Sequence, residues 1–263
     1  MKRIRTIGLC LVAIFAISAG AAASASAAES PTFKSCVKAA KVGKTYVGKF
    51  TSKECTAASK VATGGKYELA EVEEGKPVTV KSKATTLTLK GKVVKCKKDV
   101  GKGEILGPEV EFLTLTFEKC GINGSTKAPC TTTGHAPGTI VTNELIGEPK
   151  WVNSAETQAG LLVFGLGFEF AVFDCGSGPL KLKSVVIGTA TNTSKGITVA
   201  FKLSGGKQEK RAYWQEGEEQ TSFGEYLPFY LYTTPKEEEE TPTIEEATLE
   251  GAEELAPKGV GIF

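Results

Sequence analysis

The chain has 263 residues, with 32 Lys and Arg against 30 Asp and Glu, a formal net charge of +2 and seven cysteines. That near-neutral balance, with no basic residues interleaved among aromatics, excludes the usual footprint of a nucleic-acid binder. One histidine and no C-x-x-C pair exclude the familiar zinc patterns, so no metal and no cofactor is expected.

The first segment predicts a secretory signal peptide over residues 1–27. Lys2, Arg3 and Arg5 give a basic start, Ile7 to Ile17 an apolar run, and Ala25-Ser26-Ala27 a small-residue cleavage site. The run is too short to cross a membrane, which takes about 20 apolar residues, and no second run of the kind follows. Ala159–Phe173 is the most apolar later stretch, but its glycines and Glu169 make it a buried strand. The mature chain is therefore expected to be secreted, with no transmembrane segment. Cys10 follows Leu9 inside the signal and is removed with it.

Six cysteines remain: Cys36, Cys55, Cys96, Cys120, Cys130 and Cys175. An even number in an exported chain predicts three disulfides, because oxidising compartments let them persist. Sequence does not choose the connectivity; locality suggests Cys36–Cys55, Cys120–Cys130 and Cys96–Cys175.

From Cys36 onward the pattern is one of strands. Runs at Tyr46–Phe50, Tyr67–Val72, Val78–Lys83, Thr86–Lys90, Glu109–Phe117, Thr139–Leu145, Leu161–Phe173, Leu180–Ile187, Ile197–Leu203 and Tyr226–Tyr232 are separated by Gly, Pro, Asn and Ser. Many short strands with frequent turns predict an all-β fold, an antiparallel sandwich or barrel-like domain over residues 28–235, undivided or in two β subdomains. Helical signal is confined to Ser35–Lys41 and to a short stretch from Cys55 to Ala62. Leu87 and Leu89 are out of phase with Val94 and Cys96, so a bulge or tight turn is expected at Gly91. The acidic segment 236–263, opening on Lys236-Glu237-Glu238-Glu239-Glu240, reads as a linker or tail, with Ile244–Leu249 as an optional last strand.

Charge is segregated. Residues 34–104 hold seventeen lysines and seven acids, whereas the C-terminal fifty are strongly acidic. Lys81, Lys83, Lys90, Lys92 and Lys95 fall where strands face water, a placement that resists edge-to-edge aggregation and also offers a surface to anionic cell-wall polymer. Late aromatics, among them Tyr213, Trp214, Tyr230 and Tyr232, are either core or a face for sugar rings or an extracellular protein partner.

The search for chemistry returns little. His135 lies in a turn with no G-x-S-x-G elbow anywhere, and no phosphate-loop motif is present. Asn123 and Asn192 fit the glycosylation pattern. Two carboxylate pairs come into question for a glycosidase: Glu109 and Glu111, on one strand face about 7 Å apart by strand rise, and Glu169 and Asp174, which bracket Phe170–Phe173. Solvent exposure is the simpler reading of the first pair, and a hydrogen-bonded or rim carboxylate that of the second. No catalytic residue is assigned.

Cys36, Gly48-Lys49-Phe50-Thr51, Cys55, Val94-Lys95-Cys96, Gly103-Glu104-Ile105-Leu106-Gly107-Pro108, Leu115-Thr116-Phe117, Cys120 and Cys130 follow one another in order. Gly138–Asn143, Phe173-Asp174-Cys175, Val185-Val186-Ile187-Gly188 and Gly206-Lys207-Gln208 come after them. Over Phe33 to about Trp214 this order resembles a group of exported actinobacterial proteins of unassigned function. The resemblance implies export and a shared cysteine framework; it brings no activity or substrate. The expected function is a non-catalytic binding or structural role at the cell envelope or outside the cell, the alternative an extracellular glycan hydrolase.

Overall fold

The computed structural model describes residues 29–60, 64–89, 92–223, 227–228, 231–234, 245–256 and 259–263. These residues contain no helix, and all their strands pair antiparallel. The expected helix at Ser35–Lys41 is instead mostly strand, and Cys55–Lys60 forms turns and a single bridge, with 61–63 outside the described residues. The strands used below are β1 Phe33–Lys38, β2 Tyr67–Glu71, β3 Lys76–Ser82, β4 Thr85–Leu89, β5 Lys92–Cys96, β6 Lys98–Ile105, β7 Glu111–Glu118 and β8 Leu145–Trp151. They continue with β9 Ala159–Asp174, β10 Pro179–Thr193, β11 Gly196–Phe201, β12 Tyr213–Gln215, β13 Leu231–Thr234, β14 Glu245–Ala256 and β15 Val260–Ile262.

Eight strands close a barrel in the order β3-β6-β7-β8-β9-β10-β11-β14, and β14 returns to β3 through Glu253–Ala256 against Thr79–Ser82. Closure removes free edges from this ring. A second ring continues from it. The first half of β14 pairs with β4, β4 with β5, and β5 with Gly121–Ile122. Single bridges then join Gly121 to Pro129 and Thr131 to Asp174 at the end of β9, and β9–β10, β10–β13 and β13–β14 complete the circuit. β9, β10 and β14 have 16, 15 and 12 residues because each serves both rings, where ordinary strands run about 3–10.

Strands that change partner leave backbone donors without a neighbour, and side chains take them. Leu249 N–H donates to Gln208 Oε1 at 3.2 Å, Leu115 N–H to Thr142 Oγ1 at 3.0 Å, and Val141 N–H to Thr132 Oγ1 at 3.0 Å. Buried backbone polar groups require such partners. The expected strand Thr139–Leu145 is split for the same reason. Ile140 pairs with Phe117 and Leu145 with Leu113, a one-residue slip that Thr142 absorbs by bridging to Ala171.

Alternation fills the interior. Leu113, Leu115 and Phe117 point in from β7, Val78 and Val80 from β3, and Ala247, Leu249 and Leu255 from β14. Leu87, Leu89, Val94 and Cys96 all face inward, and Leu89 lies opposite Lys92; the bulge or turn expected at Gly91 lies outside the described residues, as does Lys90. One apolar cluster runs through both rings, with voids of about 20 and 10 Å³ inside it. Each fully buried Leu or Val contributes roughly 1.5–3 kcal/mol. The three-stranded sheet β15-β1-β2 adds Phe33, Val260 and Ile262 to this cluster. Segment 245–263 therefore holds a central barrel strand and a second strand paired with β1 rather than a tail.

Ala159–Phe173 is a strand, as expected, buried except around Leu166 and Gly167, and its first half is covered on both faces. Leu161 and Val163 join the interior, while Leu162 and Phe164 join Val152, Val185, Ile187 and Tyr213 in a separate outer cluster. Tyr213 reaches that face from β12, which turns back on Glu218–Gln220 through Glu216 and Gly217, both at positive φ as a two-residue hairpin turn demands.

Three disulfides are at bonding distance: Cys36–Cys55, Cys96–Cys120 and Cys130–Cys175. The first matches the expectation from locality; Cys120–Cys130 and Cys96–Cys175 are corrected. Register explains the difference. The β5 pairing of Lys95 with Gly121 sets Cys96 opposite Cys120, and the Thr131–Asp174 bridge sets Cys130 opposite Cys175. Both are non-hydrogen-bonded cross-strand pairs, with Cα atoms 4.0 and 4.1 Å apart. Cys120 and Cys130 are also neighbours, but there the backbone is bonded, Cys130 N–H donating to Cys120 O at 3.1 Å. Side chains approach more closely at non-hydrogen-bonded positions. Cys96–Cys120 staples the short pairing of β5 with Gly121–Ile122, and Cys130–Cys175 the single bridge between Thr131 and Asp174.

Candidate functional site

The lysines lie on the outside of both rings. Lys81 and Lys83 on and beside β3, Lys92 and Lys95 on β5, and Lys97, Lys98 and Lys102 on and before β6 are all exposed. Period-two alternation puts them there, because their neighbours Val80, Val94, Cys96 and Asp99 point inward. Among the described residues only Lys98 of this group is ion-paired, to Glu118 at 3.4 Å, while Lys92 Nζ donates to Ser177 Oγ at 3.3 Å. Lys81 lies opposite Glu254 of β14, whose carboxylate pairs with Lys195 at 3.7 Å. Lys90 lies outside the described residues.

The aromatics divide. Tyr213 is buried in the outer cluster, with Lys150 Nζ over its ring at 5.4 Å. Trp214 is half-buried and sits opposite Trp151 of β8. Tyr232 pairs through its backbone with Lys183 and Glu246, and Tyr230 lies outside the described residues. Trp151, a residue the sequence reading passed over, borders a groove of about 300 Å³ with Gln158, Asn192 and Phe263. Its polar groups are largely engaged. Trp151 Nε1–H donates to Glu29 O at 3.1 Å, and the Asn192 amide holds β15, donating to Ile262 O at 2.8 Å and accepting from Ile262 N–H at 2.9 Å.

Neither carboxylate pair forms an accessible couple. Glu109 is exposed ahead of β7, whereas Glu111 points into the barrel and is 1 % exposed, so its solvent-facing reading is corrected. Asp174 Oδ1 accepts from the N–H groups of Gly176, Ser177 and Gly178 and caps the turn between β9 and β10. Glu169 accepts from Asn143 Nδ2 at 3.1 Å. His135 is exposed in a loop, its N–H donating to Thr132 O.

Two further buried acids, Asp99 and Glu253, share the barrel interior with Glu111. Burial pushes Glu111 and Glu253 up to about 8, helped by the charge of Glu253 on the first and of Asp99 on the second. Asp99 is also raised by burial, with opposition from the Thr85 and Ser82 hydroxyls. The sequence carried a signal for both glutamates. Glu111 is in phase with Leu113, Leu115 and Phe117, and Glu253 with Leu249 and Leu255.

No family model, no curated protein and no solved structure matches this chain.

Proposed function

We propose that the protein is secreted and acts without catalysis, as a rigid binding module at the cell envelope or outside the cell. The observation that supports this most is the set of exposed lysines on the paired strands β3 and β6 and on β5 of the second ring. Regularly spaced ammonium groups on a stiff surface suit a polymer of repeating negative charge, since each flexible lysine contributes a point charge without demanding one geometry. Anionic wall polymer is the partner we favour, with an extracellular protein second. Three disulfides fit an oxidising compartment, and no helix among the described residues is long and apolar enough to cross a membrane.

The test incubates the oxidised mature protein with isolated wall fractions and with neutral insoluble polysaccharide, at low and high salt. Retention on the anionic fraction that salt abolishes is expected, because exposed charges are screened within about 10 Å at 0.1 M. Release of soluble sugar would overturn the non-catalytic reading. Salt-resistant retention on neutral polysaccharide would move the contact to Trp151 and Trp214.

A further inference from the structure

Asp99, Glu111 and Glu253 are 0 %, 1 % and 6 % exposed inside the first ring. Asp99 Oδ2 accepts from Ser82 Oγ at 2.7 Å and from Thr85 Oγ1, while Asp99 Oδ1 and Glu111 Oε1 have no hydrogen-bond partner among the described residues. None of the three takes part in an ion pair among the described residues. No three acidic, histidine or cysteine side chains among the described residues are grouped to hold a metal ion. The void beside Glu253 measures about 10 Å³, room for roughly one water at most. An ionised carboxylate in such a place is costly, and protonation removes that cost.

We infer that the barrel closes around protonated carboxyl groups, Glu111 and Glu253 above all, and that the β3–β14 seam is a proton-dependent lock that loosens when they ionise. Position ties the group to the seam. Glu253 lies opposite Ser82 of β3 on one side and Val199 of β11 on the other, and Ser82 lies in turn opposite Asp99 of β6. Glu111 lies opposite Gly147 of β8 and Ile105 of β6. The charged or titratable groups bearing on the three are one another and Glu118, all acidic. Each ionisation therefore adds repulsion to burial. The raised values of Glu111 and Glu253 agree with this, and they place the transition between ordinary carboxyl titration and about pH 8.

The experiment uses the oxidised mature protein. Carbon-13 carboxyl shifts are followed from pH 3 to 10, and amide hydrogen exchange is followed at Thr79–Ser82 and Glu253–Ala256 with Cys36–Lys38 against Tyr67–Leu69 of the β1–β2 pair as a control seam. Two glutamate carboxyls are expected to titrate well above the rest. Seam opening, corrected for intrinsic exchange, is expected to rise by about tenfold per pH unit for each carboxyl that ionises on opening, and the control seam less. E253Q is expected to flatten that dependence. Titration of every glutamate in the ordinary carboxyl range, or a seam whose opening is indifferent to pH, would overturn the inference. The wild-type titration decides even if E253Q does not fold.

Discussion

At Gly147 a single hydrogen in place of a side chain makes room for Glu111. A Cβ there would lie 2.7 Å from Glu111 Cγ and Oε1, so the inward carboxyl of β7 and the missing side chain of β8 form one packing unit. Gly147→Ala is expected to destabilise the protein by about 1–3 kcal/mol, the usual cost of overpacking a core, read as a lower urea midpoint. The same substitution beside Glu111→Ala should cost less than the two single effects added, because the collision is removed. Additive losses would show that Glu111 does not pack against this glycine. Glu111 also shows how much of the interior could be read from residues alone. Its parity with Leu113, Leu115 and Phe117 pointed inward, but a glutamate is ordinarily placed in water, and the compensating glycine lies on a strand distant in sequence.

Strand phase was readable for β4, β5, β9 and β11, whose alternating or continuously apolar runs are local. Ring closure was not, because β14 and β3 are joined by pairing across most of the chain and the acidity of the C-terminal region suggested a tail. The existence of three disulfides was legible in the even number of cysteines after residue 27; two of the pairings were not, since Cys96, Cys120, Cys130 and Cys175 stand in one cross-strand row and only the backbone hydrogen-bond pattern tells which neighbours meet. Removing Cys130–Cys175 by alanine at both positions is expected to cost about 2–4 kcal/mol in urea unfolding. Removing Cys36–Cys55 should cost about 0.8 kcal/mol less, because the loop closed is shorter in the chain-entropy model, 19 against 45 residues. Equal losses would mean that strain or residual structure outweighs loop length. Gln208→Ala leaves the Leu249 N–H without its acceptor inside the barrel, and a loss of about 1–3 kcal/mol is expected.

Across the whole molecule, the charge segregation seen along the sequence is partly undone by folding. The acidic strand β14 lies between β11 and the lysine-bearing strands, with Glu254 opposite Lys81, and Glu250 in a row with Thr86 and Lys95. Among the described residues Lys95, Lys97 and Lys102 take part in no ion pair, which is what gives the surface its binding character in our reading. Global stability should follow the interior acids. Glu111 and Glu253 have folded values above their unfolded ones, so the native state holds more protons and stability falls as pH rises. Their contribution is fully present below about pH 4.5 and is lost progressively up to about pH 8. Urea midpoints at pH 5, 7 and 9 should descend in that order, and an ascending series would contradict the assignment.

Retention on isolated anionic wall polymer at low salt, wild type against a K81Q/K83Q/K95Q variant of equal thermal stability, tests the central claim most directly. The account predicts strong, salt-sensitive retention of the wild type and most of it lost in the variant. Equal retention of the two, or soluble sugar released by either, would contradict it.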